Sequence, residues 1–389
     1  MFKRLLLVSV GVILGLCAAE ISLRLIGRPR PPIIGWRGHY DPNEVNELGF
    51  RGRKFKDAGS DRLLLLGDSQ VESAASQLEQ MPETCLELAL KRRGLKEIRV
   101  VSIGCGGWGQ DQELAALASV VKELKPKTVL LWFTPQNDIW NNVFPTHFPR
   151  NGYPKPTYWL EAGRLVGPNV AWLAPYEPSS TLYLHRALRR ALGVPLYPLD
   201  EEWEKHLPAP YVAEDAPSGM PTLLGELARI NEMSIASLPS QDDENFATEK
   251  THHSLYLVPT SPRLQYGIDL THALLRKIEA VCAENGANFC VMYADVGASD
   301  DNRRFSDSTK YFEYRGKAYG FSGNARQARL EEVTAGLSTV HVSFSMPGTR
   351  VSKTDAHLST AANQLLMDRV AEELLRRRLG PFSLVVRQR

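Results

Sequence analysis

The chain has only five cysteines in 389 residues, and none of them form a CxxC pair. No histidine group stands at metal-ligand spacing either: His252-His253 is half of such a site, with no matching carboxylate and histidine around it. The sequence therefore specifies neither a small disulfide scaffold nor a metal or other cofactor. Beyond Cys17, the four remaining cysteines are an even number that an oxidising compartment could pair, but buried free thiols are the simpler reading. Also missing is any long block of one charge. Lys plus Arg total 46 against 44 Asp plus Glu, a net charge of +2, so nucleic acid is not an expected partner. No internal repeat or long low-complexity tract appears, and the chain is long enough to bury a full core.

At the start, Lys3 and Arg4 precede the apolar stretch from Leu5 to Ala19, the layout of a secretory signal or a short membrane anchor. The stretch is shorter than the roughly twenty residues that span hydrocarbon, but Ile21, Leu23, Leu25 and Ile26 extend it past Glu20 and Arg24. Leu16 occupies the place before Cys17 where a lipidation site needs a small residue, so Cys17 is not read as lipidated. The expectation is an exported protein of the periplasm or cell envelope, held to the inner membrane if the segment is retained. Residues 1–30 form the signal or anchor, 31–60 a lead-in and 61–389 the main domain.

Within that domain, apolar runs predict strands at Arg62–Leu66, Ile98–Ile103, Val129–Phe133, Asn288–Ala294 and Thr339–Phe344. Helical spacing fills Pro82–Arg93, Asp111–Leu124, Leu270–Glu284 and Asn363–Arg376. Strands alternating with helices imply a parallel sheet of about five strands in a flavodoxin-like three-layer α/β/α sandwich. An insertion at about 145–265 is rich in proline. It carries a hairpin pattern from Tyr158 to Val166 and a helix over Ser179–Leu192, whose Arg186, Arg189 and Arg190 read as a solvated face or a surface for an acidic glycan. Ser237–Lys250 reads as an exposed loop. Gly297–Gly323, with Asp300, Asp301, Arg303 and Arg304, reads as a mobile loop near the cleft.

The chemistry-bearing residues fall where such a sheet presents its carboxyl edge. Gly67-Asp68-Ser69 ends the first strand, and Ser69 there is either a helix N-cap or a nucleophile. The glycine-rich turn Gly104-Cys105-Gly106-Gly107-Trp108-Gly109 follows the second strand, with Cys105 read as a small packing residue. Its spacing also fits a dinucleotide fingerprint, but the next strand closes on Phe133 and Thr134 without the acidic residue that would hold a ribose. Asn137 and Asp138 close the third strand, and Asn137 can donate to an oxyanion. Asp355-Ala356-His357 precedes the last helix. A hydroxyl needs an imidazole to take its proton, and the imidazole needs a fixed tautomer; His357 and Asp355 can supply both. Gly67-Asp68-Ser69-Gln70-Val71 lacks the second glycine of an α/β-hydrolase elbow.

These four segments, in this order, resemble the blocks of the GDSL or SGNH hydrolases, which contribute serine, glycine, asparagine and histidine in turn. Asn46-Glu-Leu-Gly-Phe-Arg-Gly52 is similar to the lead-in of bacterial membrane-proximal members. The resemblance implies an SGNH fold with Ser69 as nucleophile and His357 as base, oriented by Asp355. It places the Ser69 and Gly107 amides and Asn137 in an oxyanion hole. Two departures are present: Pro135-Gln136 precedes Asn137 where the family has glycine and any residue, and Thr354 holds the usual place of the aspartate. The implied activity is a serine esterase or O-acyltransferase on an acyl ester, such as an acetylated envelope or secreted polysaccharide. The alternative is a noncatalytic glycan-binding or assembly protein on the same fold.

Overall fold

A computed structural model of the chain describes residues 2–26, 41–55, 61–143, 146–147, 153–168, 182–192, 254–260, 262–297, 310–314, 317–352, 355 and 357–378. The main strands are β1 (Asp61–Gly67), β2 (Ile98–Gly104) and β3 (Thr128–Trp132). Four short strands follow: β4 (Thr146–His147), β5 (Tyr153–Pro154), β6 (Trp159–Glu161) and β7 (Arg164–Val166). Then come β8 (Leu257–Val258), β9 (Asn288–Gly297), β10 (Lys310–Tyr314), β11 (Lys317–Phe321) and β12 (Thr339–Ser345). The central sheet has the order β2-β1-β3-β9-β12, and each of its pairings is parallel. All five strands expected from the sequence are in it.

The unbroken apolar run Leu63-Leu64-Leu65-Leu66 makes sense in that sheet, because a parallel strand is covered on both faces. Leu64 and Leu66 pack with Val101, Ile103, Val129 and Leu131 on one face; Leu63 and Leu65 pack with Val100, Leu130 and Met292 on the other. Helices α1 (Phe2–Ile26), α2 (Ser69–Glu72), α3 (Pro82–Arg92), α4 (Gln110–Leu124), α5 (Pro135–Val143) and α6 (Tyr183–Ala191) come first in the chain. The first face is covered by α4, α5 and the helix Pro262–Glu284, and the second by α3 and the last helix Thr360–Arg376. The result is a three-layer α/β/α sandwich. Truncating a leucine such as Leu64 to alanine would cost about 2–5 kcal/mol.

The strand order places a topological switch between β1 and β3, whose following turns run to opposite faces of the sheet. Ser69 follows β1 and Asn137 follows β3, so the fold opens its crevice between these two residues.

Helix α1 is long and apolar enough to cross a membrane by length and composition, and its window Val8–Leu25 is 0% buried. A signal sequence passes the same test. Within it, Arg24 pairs with Glu20 at 2.7 Å. In the insertion, β6 and β7 pair antiparallel as the Tyr158–Val166 pattern predicts, and Tyr183–Ala191 is helical. The expected loop Gly297–Gly323 differs: β10 and β11 pair antiparallel within it and continue onto β8. Ser237–Lys250, His252-His253, Asp300, Asp301, Arg303 and Arg304 lie outside the described residues. All five cysteines are free, and Cys85, Cys105, Cys282 and Cys290 are buried.

Candidate active site

Ser69 opens α2, but the cap of that helix belongs to Asp68, whose side chain accepts the Gln70 N–H at 2.9 Å. Ser69 is therefore not spent on capping. It stays half-buried while Asp68 beneath it is fully enclosed. Burial raises the Asp68 pKa, against hydrogen bonds from Gln70, Asn137 and Thr134 and the nearby His357.

The single turn of α2 is held from behind by the lead-in segment. The Arg51 guanidinium, 3% exposed, donates to the carbonyls of Glu72 at 3.1 Å and Ser73 at 2.6 Å, and also to Ser76. The Glu72 carbonyl is one of those that a helix end leaves open, while the Ser73 carbonyl also accepts the Ser76 N–H at 2.9 Å. Asn46 donates to the Ser102 carbonyl at 2.9 Å, and Phe50 meets Trp108 edge to face at 5.6 Å. Gly52 lies so close to β2 that a Cβ there would stand 2.5 Å from Ser102 Oγ. The Asn46–Gly52 segment thus acts as a clamp on the turn bearing Ser69.

Asn137 sits near the start of α5 with its Nδ2 3.5 Å from Asp68 Oδ2, which brings the third segment beside the first. From the sequence Gly107 is the expected backbone donor. Gly107 makes the turn, with φ at +74°, while the amide directed toward α2 is that of Gly106, which donates to Glu72 Oε2 at 2.6 Å. A Cβ on Gly106 would lie 3.7 Å from Ser69 Cβ. Neither Gly106 nor Glu72 was singled out by sequence. The signals that could have found them are a carboxylate three residues after the serine and a glycine pair after β2.

His357 and Asp355 stand at the turn before the last helix. Asp355 Oδ1 receives the His357 imidazole Nδ1 at 2.6 Å and the His357 backbone N–H at 3.0 Å. Burial tends to raise the Asp355 pKa, but the bonds from His357 win and lower it. With an ionised acceptor on Nδ1, that nitrogen carries the proton and Nε2 is the basic one. The turn is tied to its surroundings by Val351 N–H to the His357 carbonyl at 2.9 Å and Ser359 Oγ to the Gly348 carbonyl at 2.6 Å. Leu358 N–H meets Gln70 Oε1 at 3.5 Å, joining the His357 turn to the Ser69 helix. Thr354 and Ala356 lie outside the described residues.

Below the crevice lies a layer of buried acids. Gln110 Nε2 bonds Asp138 at 2.7 Å and Glu113 at 3.3 Å, and Asn142 bonds Gln110 Oε1 at 2.7 Å. Burial first, then neighbouring Asp68, pushes the pKa values of Glu113 and Asp138 well up. Burial thus favours the protonated form of both acids beneath the crevice. Among the described residues, no group of three or more His, Cys, Asp or Glu side chains is arranged to hold a metal ion.

No protein-family model and no curated protein matches the chain. Among solved structures, it is similar to the "Crystal Structure of TesA", at 12% identity and a TM-score of 0.30, over 81% of this chain and 98% of that one. It is also similar to LAE5, an alpha/beta hydrolase enzyme from the metagenome of Lake Arreo, Spain, at 13% identity and a TM-score of 0.27, over 81% of this chain and 96% of that one. Overlaps at these scores carry no argument about chemistry. The fold assignment stands on strand order and register.

Proposed function

We propose that the chain is a serine hydrolase of the SGNH type that cleaves or transfers an acyl group through an acyl-Ser69 intermediate. The observation that carries this reading is the 2.6 Å pairing of Asp355 with His357 on a turn bonded to the Ser69 helix. In the reaction, Ser69 Oγ attacks the ester carbonyl and passes its proton to His357 Nε2. The oxyanion is met by the Ser69 amide, the glycine turn at Gly106 and Gly107, and Asn137 Nδ2. Collapse expels the alkoxide, which leaves with the proton from Nε2. Water or a sugar hydroxyl then gives its proton to Nε2 and attacks the acyl carbon; the Ser69 Oγ–acyl bond breaks and Nε2 returns the proton to Ser69 Oγ.

Hydrolysis and transfer share the intermediate and differ only in the acceptor. The family resemblance implies an ester of an envelope or secreted carbohydrate, with acetyl as the simplest acyl group. Helix α1 supports placement at the inner membrane with the sandwich exported. The test is turnover of a short-chain p-nitrophenyl ester by the parent, Ser69→Ala and His357→Ala, with product analysis in the presence and absence of a sugar acceptor. Turnover lost in both variants is expected.

One observation favours a second reading, a noncatalytic glycan-binding protein: the Gly106 amide and the Asn137 amide group both face carboxylates. In that case glycan binding would survive Ser69→Ala and the parent would turn over no ester.

A further inference from the structure

We propose that the Glu72 carboxylate is a displaceable occupant of the oxyanion hole, which the substrate's oxyanion must evict from the Gly106 amide. This proposal rests on the reading of Ser69 as nucleophile. Three observations converge. One turn of helix puts residue 72 on the same side as residue 69. Glu72 Oε2 takes the Gly106 N–H at 2.6 Å, the distance of a charge-assisted bond. A Cβ on Gly106 would stand 2.9 Å from that oxygen and 3.7 Å from Ser69 Cβ, so carboxylate, amide and nucleophile share one small volume.

The charges around Glu72 leave it poised. Burial raises its pKa to about 7, against the Gly106 hydrogen bond and His357. Arg51, from the lead-in, bonds the backbone carbonyl of Glu72 and pairs its charge with Glu44. Asp68 stands on the turn before α2. Glu113 of α4 and Asp138 of α5 act on Asp68, and burial favours the protonated form of each. His357 is the basic side chain that acts on the Glu72 carboxyl, opposing the effect of burial.

Above about pH 7 Glu72 is ionised, holds Gly106 firmly and places negative charge where the oxyanion forms. Below it, the neutral acid releases the amide more easily, because a bond to a charged acceptor is about twice as strong as one to a neutral group. Glu72 is a gating residue, not a catalytic one: it does not touch the reacting atoms once displaced.

The experiment is the pH dependence of labelling by a fluorophosphonate on the full-length protein in detergent. Ser69 Oγ forms a bond to phosphorus, fluoride leaves, and the serine proton goes to His357 Nε2. Rates are compared between the parent, Ser69→Ala and Glu72→Gln from pH 5.5 to 8.5. Both active forms keep His357 as the base. The ratio of Glu72→Gln to parent is expected to rise about tenfold with pH and to approach one at the acid end. A ratio constant within about twofold overturns the gate while leaving Ser69 a nucleophile. A parent that does not label at Ser69 overturns both. Should Glu72→Gln fail to fold, the Gly106 amide in the glycine-¹⁵N-labelled parent decides: its shift should titrate near pH 7 and stop titrating after phosphonylation. An amide that never titrates contradicts the proposal.

Discussion

Asp355 Oδ1 stands 2.6 Å from His357 Nδ1, although one residue separates them in the chain. The same oxygen also accepts the His357 amide at 3.0 Å, so the short spacing closes into a local ring in place of a longer reach across the turn. An Asp355→Asn change removes the ionised acceptor and frees the imidazole to adopt the other tautomer. The expected result is a fall in kcat on an acyl ester of about a hundredfold or more. The pair is only partly buried, with side chains 44% and 36% exposed, so Tm should change little. A kcat within threefold of the parent would refute the role given to Asp355.

Arg51 is expected to matter through geometry. Its fork bonds three carbonyls around the end of α2, and lysine cannot reproduce a planar fork. Arg51→Ala removes the donor from the Glu72 and Ser76 carbonyls, at about 1–3 kcal/mol for each one left unpaired, and should lower the urea-derived unfolding free energy accordingly; Ser73 keeps the Ser76 N–H. It should also cut kcat/KM more than tenfold, with Arg51→Lys recovering only part. Full activity in Arg51→Ala would show that α2 holds its position without the clamp.

Lys155 and Asp111 form a buried ion pair at 2.6 Å that joins the start of the insertion to α4. Burial pushes Lys155 down and Asp111 up, and each is held against that by the other. Lys155→Met leaves Asp111 alone in the interior, a change that costs about 3–5 kcal/mol. The double change Lys155→Met with Asp111→Asn should recover most of the loss. Chemical denaturation of the parent and the two variants measures it; equal loss in the single and double variants would contradict the pairing.

The buried acids predict a pH dependence of stability. Because the folded pKa values of Glu113 and Asp138 lie above their unfolded ones, their contribution is fully present below the ordinary carboxylate range and is lost as pH rises through the folded values. Each retained proton tilts stability by about 1.4 kcal/mol per pH unit within that window. Glu113→Gln should therefore flatten the decline of the urea midpoint between pH 5 and 9. An unchanged slope would mean that Glu113 is ionised in the folded chain.

Much of this was legible before any coordinates. Strands buried on both faces leave continuous apolar runs such as Leu63–Leu66 and Val129–Leu131, and turn residues follow each one. The pair β10 and β11 reads as loop in sequence because its short segments lie between stretches rich in Gly, Asp and Asn. At the site, residue types marked Ser69, Asn137, Asp355 and His357. Which glycine amide faces α2 depends on the φ values of one turn, and no periodicity encodes that. Glu72 escaped notice for a related reason: a lone carboxylate one turn after a serine reads as a solvated face until its partner is seen.

The central claim is that Ser69 is an activated nucleophile. Intact-mass and peptide mapping after fluorophosphonate treatment test it most directly, comparing the parent with Ser69→Ala and His357→Ala. The account predicts one adduct on the peptide containing Ser69, none in Ser69→Ala, and labelling slowed at least a hundredfold in His357→Ala. A parent left unmodified, or an adduct that persists in Ser69→Ala, would contradict it.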